Sequence, residues 1–233
     1  MRRVASTELL DTDHGTQAEV AASLRDLERI NRWFGGISTT RQMIRSVSKS
    51  TRLSELTMLE VAAGSGYVSA NVSRELAHAG ISLRVTLLDR VANHLKRANG
   101  QARLAADALA LPFPDNSFDL VASNLFAHHL SPAELSCFVG EALRVCRQAV
   151  LINDLIRSPL HLAAVYAGFP LYSSRLTRHD APASVRQAYT PREMRELLGR
   201  AAIARLEISR HCLFRMTVIV WKQSSRIEGQ PSV

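Results

Sequence analysis

The chain has 233 residues, 46% of them apolar and 21% charged, with a formal net charge of +8, which suits one hydrophobic core and is short for two ordinary domains. No apolar run approaches the roughly eighteen residues of a membrane span, and Met1-Arg2-Arg3 lacks the apolar stretch of a secretion signal, so the expected location is the cytoplasm. The basic excess is nearly all arginine and contains no run of five like charges, which makes nucleic acid an unfavoured partner; Cys137, Cys146 and Cys212 have no metal-ligand spacing and read as reduced core residues, with no metal expected. Before Thr16 there is no periodicity, and a loose arm is expected. Thr16-Gln17-Ala18-Glu19 is a capping box, and the helix behind it puts Val20, Leu24, Leu27 and Phe34 on one stripe with Arg25, Asp26, Glu28 and Arg29 on the other face. That helix stops at Gly35-Gly36, and a second, from Thr39 to Val47, completes an N-terminal arm and helical cap over residues 1–52.

From residue 53 to 222 strands and helices alternate. Leu59-Glu60-Val61-Ala62-Ala63-Gly64-Ser65-Gly66-Tyr67 is a strand running into an acid and a small-residue loop, followed by a helix that ends near Gly80. Residues with little or no Cβ let a ligand lie against bare backbone, and the free N–H groups of the following helix point into the same space. Ile81 to Leu88 is a second strand ending at Asp89, where a carboxylate can accept from two ribose hydroxyls. A helix is expected around Arg90 to Asn99, closed by Gly100, and then comes Asp107-Ala108-Leu109-Ala110-Leu111-Pro112-Phe113-Pro114-Asp115-Asn116-Ser117-Phe118-Asp119. Ser131-Pro132-Ala133-Glu134 opens a helix to about Arg147, Ala149 to Asn153 is a strand, and Thr190-Pro191-Arg192-Glu193 opens a last helix ending near Gly199. Ala204 to Ser209 and Phe214 to Trp221 read as a hairpin, and the polar tail 223–233 as disordered.

The acid, small residue and two glycines at alternate positions resemble the first motif of class I S-adenosylmethionine-dependent methyltransferases. The run from Asp107 is similar to the D-A-x-x-L-P-F-x-D-x-S-F-D pattern of the methyltransferase-11-like family, which includes quinone and other small-molecule enzymes. The resemblance implies an α/β, Rossmann-like seven-stranded, mostly parallel sheet with a terminal antiparallel hairpin. It implies S-adenosylmethionine as cofactor, with contacts from Glu60, Ala62, Gly64, Gly66, Asp89, Arg90, Asp107, Ala108 and Asn124; Asp107 and Ala108 would hold the adenine edge. The alternative is that Glu60 and Asp89 merely end strands and Asp107 caps a turn. A nicotinamide-dependent oxidoreductase is disfavoured because the third glycine of G-x-G-x-x-G is missing.

Ser123-Asn124-Leu125-Phe126-Ala127-His128-His129-Leu130 resembles the small-molecule pattern ending in a His-His pair rather than the Asn/Asp-Pro-Pro-aromatic turn of base-amine methylating enzymes. Methyl transfer from a sulfonium requires alignment above all, and a base only if the nucleophile starts protonated. His128 and His129 are therefore the catalytic candidates, with His128 as base and His129 as structural partner. His161 and His179-Asp180 are rivals, while His14, His78, His94 and His211 are read as surface or structural. The long segment 155–189, with Tyr166, Phe169, Tyr172, Arg175 and Arg178, is expected to form a lid, and Trp33-Phe34-Gly35-Gly36 the opposite wall. The expected activity is methyl transfer to a small aromatic or polyketide-like acceptor, at oxygen before carbon. A non-catalytic S-adenosylmethionine-binding module and an RNA methyltransferase are the other readings, and the oligomeric state is open.

Overall fold

The computed structural model of the chain describes residues 1–10, 15–97, 101–199, 205–211 and 213–223. His14, Asn99, Gly100, Ala204, Cys212 and the tail from residue 224 lie outside the described residues. In chain order the regular elements are α1 (Gln17–Trp33), α2 (Gly36–Thr51), β1 (Glu55–Val61), α3 (Tyr67–Ala77), β2 (Ser82–Asp89), β3 (Ala102–Ala105), β4 (Phe118–Asn124), α4 (Pro132–Val145), β5 (Cys146–Leu155), α5 (Pro159–Ala167), α6 (Arg175–Gln187), α7 (Pro191–Leu198), β6 (Arg205–His211) and β7 (Arg215–Trp221). No helix among the described residues is long and apolar enough to cross a membrane.

The seven strands form one sheet in the order β3-β2-β1-β4-β5-β7-β6. The first five are parallel, and β7 runs antiparallel to both β5 and β6. Successive side chains of a strand point to opposite faces, and both faces are covered here. Leu59, Val61, Val121, Val150, Ile152 and Val218 pack with Phe138 of α4 and Met194 of α7. Met58, Leu120, Leu151 and Ile219 pack with Ile44 and Val47 of α2 and Val72 of α3. The strand order reverses between β1 and β4, where Val61 pairs with Ser123. A crevice forms at such a switch point, outside the carboxyl ends of the strands, and it brings together the loops that follow Val61 and Asn124.

The three capping boxes expected at Thr16, Ser131 and Thr190 are all present. Three expectations differ. The helix anticipated over residues 90–99 is a short 3-10 turn at His94–Arg97. On α1, Asp26 is buried rather than solvated, because it accepts from the backbone N–H groups of Ser173 and Ser174 as well as from Arg29. The arm is docked rather than loose. Arg3 donates to the carbonyls of Gln187, His128 and Leu130, Arg157 donates to the Met1 carbonyl, and Asp180 accepts from the N–H groups of Leu9 and Leu10.

The helical cap is fixed to the sheet by a buried polar chain. Arg215, only 1% exposed, donates to the Phe34 carbonyl, Asn31 Oδ1 and Asn153 Oδ1. Asn153 Nδ2 donates to the hydroxyl oxygens of Thr39 and Thr40 and to the Gly36 carbonyl. A Cβ on Gly36 would stand 2.8 Å from Asn31 Cβ, inside any permitted contact. Gly36→Ala is therefore expected to destabilise the protein by about 1–3 kcal/mol, although alanine is the better helix former, because Asn31 must leave Arg215 to make room. Chemical denaturation of the two proteins checks this, and an alanine variant as stable as the parent would contradict it.

Candidate active site

A cavity of about 680 Å³ opens at the switch point. One wall is made by Glu60, Ala62, Ala63, Gly64 and Ser65 after β1, Asp89, Arg90 and His94 after β2, Asp107 and Ala108 after β3, and Asn124. The other is made by Glu8 and Leu10 of the arm, by α1 and the Trp33-Phe34 step, by α5 and α6, and by Phe126, His128 and His129 after β4.

The loop after β1 folds as its composition demands. Ala62, Gly64 and Gly66 all have positive φ, at 53°, 54° and 68°. For Ala62 this left-handed conformation costs roughly 1–2 kcal/mol relative to an ordinary backbone. A Cβ on Gly64 would meet nothing within 4 Å, so this glycine leaves open space above the loop. Gly66 is different: its missing Cβ would stand 2.5 Å from Leu87 Cδ1, and the residue packs α3 against β2 instead of lining the cavity. Its expected place against a cofactor is therefore not where the structure puts it.

Both carboxylates at the strand ends are anchored by the protein and retain capacity for more. Asp89 Oδ2 accepts from Gly64 N at 2.8 Å and Oδ1 from Val91 N at 2.9 Å. Burial works against its ionisation, but the nearby His94 ring and the hydrogen bonds from the Val91 and Gly64 N–H groups outweigh it and hold the carboxyl below the usual range. A carboxylate has about four acceptor sites, so ribose hydroxyls could still donate here. Glu60 is 2% exposed, with Oε1 accepting from Asn124 Nδ2 at 2.8 Å and Oε2 meeting no donor. Burial pushes its pKa up to about 6, with Asp89 nearby adding to the effect and Ser69 and Asn124 opposing it.

His94, read from the sequence as surface or structural, is buried in the cavity wall. Its Nδ1 is 3.7 Å from Asp89 Oδ1 and its Nε2 has no partner. Asp107 is exposed at the cavity mouth and accepts from Leu109 N, so it does cap a turn, as the structural alternative held. Ala108 is buried beside it, and Arg90 is exposed at the rim. Unmatched acceptors at Glu60 and His94, a free side on Asp89 and the bare face of Gly64 suit a ligand rich in hydroxyl and ammonium donors. S-adenosylmethionine is such a ligand.

The histidine pair departs from the expected division of labour. His128 is 2% exposed, and its Nδ1 donates to Asp154 Oδ1 at 2.6 Å while its backbone N–H donates to Asp154 Oδ2. Its Nε2 faces Glu8 Oε1 at 3.6 Å. Burial alone would lower its pKa, but the charges of Asp154 and Glu8 overcome that and raise it to about 10. A ring held as imidazolium between two carboxylates does not serve as a base at neutral pH. His129 is the more accessible member, with Nε2 3.9 Å from Glu8 Oε2 and its ring stacked on Phe126. Glu8 is 7% exposed and is held by Ser184 Oγ and Gln187 Nε2, each 2.6 Å from Oε1.

Of the rivals, His161 lies in the wall, stacked on Phe214, with Nδ1 bonded to the Ile156 carbonyl and burial holding its pKa down. His179 pairs with Asp180, which lines the cavity, but does not line it itself. Of Tyr166, Phe169, Tyr172, Arg175 and Arg178, Tyr172 alone lines the cavity; Tyr166 bonds Arg186, Phe169 packs on Tyr166, Arg175 pairs with Glu19, and Arg178 bonds the Tyr172 carbonyl. Sequence reasoning missed Glu8, Asp154 and His94. An acid in an aperiodic arm, an acid inside an apolar strand and one histidine among eight carry no local signal.

Residues 59–152 match the family model described as "Methyltransferase domain". No curated protein matches the sequence. Among solved structures, the chain is similar to a SAM-dependent methyltransferase from Aquifex aeolicus, with 19% identity and a TM-score of 0.54 over 76% of this chain and 88% of that one. It is similar over more of its length to the plantazolicin methyltransferase BpumL in complex with a monoazolic desmethylPZN analog and SAH, at 13% identity and a TM-score of 0.68 over 93% and 95%. The magnesium protoporphyrin IX methyltransferase of Synechocystis PCC 6803 with bound SAH gives 16% identity and 0.53 over 81% and 84%. The methyltransferase-domain match over residues 59–152, the strand order and the polar cradle at the switch point support S-adenosylmethionine-dependent methyl transfer.

Two outcomes follow from these charges. A carboxyl whose folded pKa lies above its unfolded value binds its proton more tightly when folded, so its contribution to stability is lost as pH rises from about 4.5 to 6. Unfolding of the ligand-free protein at pH 4 and pH 7 should show the parent losing up to about 2 kcal/mol more than Glu60→Gln over that interval. Equal losses would remove Glu60 from the account. His128→Gln is expected to destabilise by about 3–5 kcal/mol, because it strands buried Asp154 without a cation, whereas His129→Gln should cost under about 1 kcal/mol. Thermal melts of both variants separate these, and similar midpoints for the two would contradict the assignment.

Proposed function

We propose that the protein methylates a small acceptor held between the β-loop wall and the α5–α6 wall, with oxygen favoured over carbon as nucleophile and an aromatic or polyketide-like body. The observation that carries this reading is that the cradle of Gly64, Asp89 and Glu60 shares one cavity with the cluster of Glu8, His128 and His129 and with Phe34, Phe126, Tyr172 and Phe214. A volume of about 680 Å³ lies within the usual range of small-molecule pockets. The plantazolicin methyltransferase, crystallised with a monoazolic desmethylPZN analog, is similar over nearly the whole of both chains and supports an aromatic acceptor. Cys137, expected in the core, is instead exposed on α4 while Cys146 is buried, and a free surface thiol accords with cytoplasmic residence.

S-adenosylmethionine, when bound, supplies a methyl group on a positively charged sulfur that a well-aligned nucleophile takes by in-line displacement. In this reading Asp89 accepts from the ribose hydroxyls, and His94 Nε2 adds an acceptor beside it. Glu60, positioned by Asn124, takes the amino-acid ammonium, a contact that would return its carboxyl to the ionised form. Asp107 and Ala108 bound the adenine edge, Arg90 covers the rim, and Ala62 and Gly64 present bare backbone. Glu8 and His129 orient the acceptor's nucleophilic atom; His128 acts through them as a positioning residue, locked by Asp154. The segment 155–189 and the arm close the chamber from water as a lid, with most of the alignment gain coming from fixed geometry.

Asp89→Ala removes about two charge-assisted hydrogen bonds to the ribose and should weaken S-adenosylhomocysteine roughly ten- to a hundred-fold by calorimetry. Undiminished affinity would displace Asp89 from the ribose. Binding of NADH with none of S-adenosylmethionine would overturn the whole reading.

A further inference from the structure

We propose that Glu8, His128 and His129 form a binding site for one first-row divalent transition-metal ion, open towards the acceptor chamber. The inference rests on the placement of the acceptor's nucleophile at this cluster. Glu8 Oε, His128 Nε2 and His129 Nε2 all lie within 4.8 Å of one another. The closest carboxylate–imidazole separations are 3.6 Å to His128 and 3.9 Å to His129. Donors around a tetrahedral or octahedral ion with bonds of about 2.0–2.2 Å stand roughly 3–3.6 Å apart, so the two carboxylate–imidazole separations need close only by a few tenths of an ångström, and the imidazole–imidazole separation, within 4.8 Å, by about an ångström at most beyond that range.

The surroundings have the features that a metal centre requires beyond its ligands. His128 Nδ1 donates to Asp154 Oδ1 at 2.6 Å, so that once an ion displaces the proton on Nε2 the remaining tautomer has Nε2 directed to the metal. Asp154 is 2% exposed and is tied by the backbone N–H groups of His128 and Leu155. The turn carrying both histidines is clamped from outside by Arg3, which donates to the carbonyls of His128 and Leu130. Glu8 Oε1 is held by Ser184 and Gln187, which leaves Oε2 on the side of His129. Two buried carboxylates, Glu8 and Asp154, flank one imidazole, so the pocket demands positive charge, and a dication meets that demand with His128 neutral.

Two imidazoles and one carboxylate suit zinc, manganese, iron(II) or cobalt(II) better than calcium or magnesium, which prefer oxygen. Three protein ligands leave at least one coordination position, and it faces the cavity that all three residues line. An acceptor oxygen in that position is held and made more acidic by the ion. The matching acceptors are phenols, enols and vicinal oxygen pairs, whose oxygens can coordinate.

The test is titration of the untagged full-length protein with Co²⁺, followed by its visible d–d absorption and by competition with Zn²⁺. Stoichiometric binding of one ion at micromolar affinity or tighter is expected. Glu8→Gln and His129→Gln should each lower affinity at least about tenfold, and Asp154→Asn about 10–100-fold. S-adenosylhomocysteine binding and the thermal midpoint of Glu8→Gln and His129→Gln serve as controls for folding. Binding weaker than millimolar, or equal Co²⁺ affinity in the parent and in folded Glu8→Gln, overturns the metal site. Because S-adenosylhomocysteine affinity is read separately, loss of the metal result alone leaves the methyltransferase reading intact.

Discussion

The arrangement of the cap depends on Arg215, a guanidinium with almost no exposure at the start of β7. Burial lowers its pKa to about 10, and it is kept in place by three neutral oxygens from Phe34, Asn31 and Asn153, with the charge of Asp154 in support. Taking such a charge out of water is expensive, and the expense is offset only while every one of those acceptors is in position. Asn31 and Phe34 sit where α1 ends, and Asn153 passes the constraint to Thr39 and Thr40 at the start of α2. Thr40 then donates to Asn124 Oδ1, and Asn124 donates to Glu60. One polar chain thus runs from the far side of the sheet through the helical cap to the acid in the cofactor cradle, and it couples the cap's position to that of Glu60.

What the sequence made legible was the local chemistry. Three capping boxes marked helix starts because the partners are only three residues apart, and the β1 loop was readable because its small residues serve a left-handed backbone. The seven-stranded sheet with its terminal hairpin was implied by the family resemblance and agrees with the alternation of elements, while the strand order itself is read from the structure. The 90–97 segment misled because its helix-compatible residues fold only into one 3-10 turn beneath Asp89. Asp26 misled for another reason: helical periodicity assigns a carboxylate to solvent, and it cannot see two backbone N–H groups arriving from residues 173 and 174.

The two halves of the site differed in legibility for the same reason. Asp89, Glu60, Asp107 and Ala108 lie at strand ends within a single stretch of chain, where position along the motif implies position in space. The cluster on the opposite cavity wall is assembled from Glu8, from His128 and His129, and from Asp154, which are separated by more than a hundred residues at the widest and brought together by the docking of the arm on α6. Nearness to the strand end suggested His128 as the reactive member of the pair. Packing decides otherwise: the backbone of residue 128 is drawn to Asp154, and the ring follows it into the interior.

The same packing connects the arm to chemistry. A buried ionic cluster is a poor source of stability compared with apolar residues of similar size, so its value lies in the geometry it imposes. Here Glu8 can reach His128 and His129 only because Arg3 and the N–H groups of Leu9 and Leu10 bind carbonyls and a carboxylate on the opposite side. Docking of residues 1–10 therefore does two things at once: it closes one wall of the cavity and it delivers the carboxylate that the two imidazoles face. Each interaction that holds the arm down also sets the distance between the acidic and imidazole groups, and the site is complete only when the least regular segment of the chain is in place.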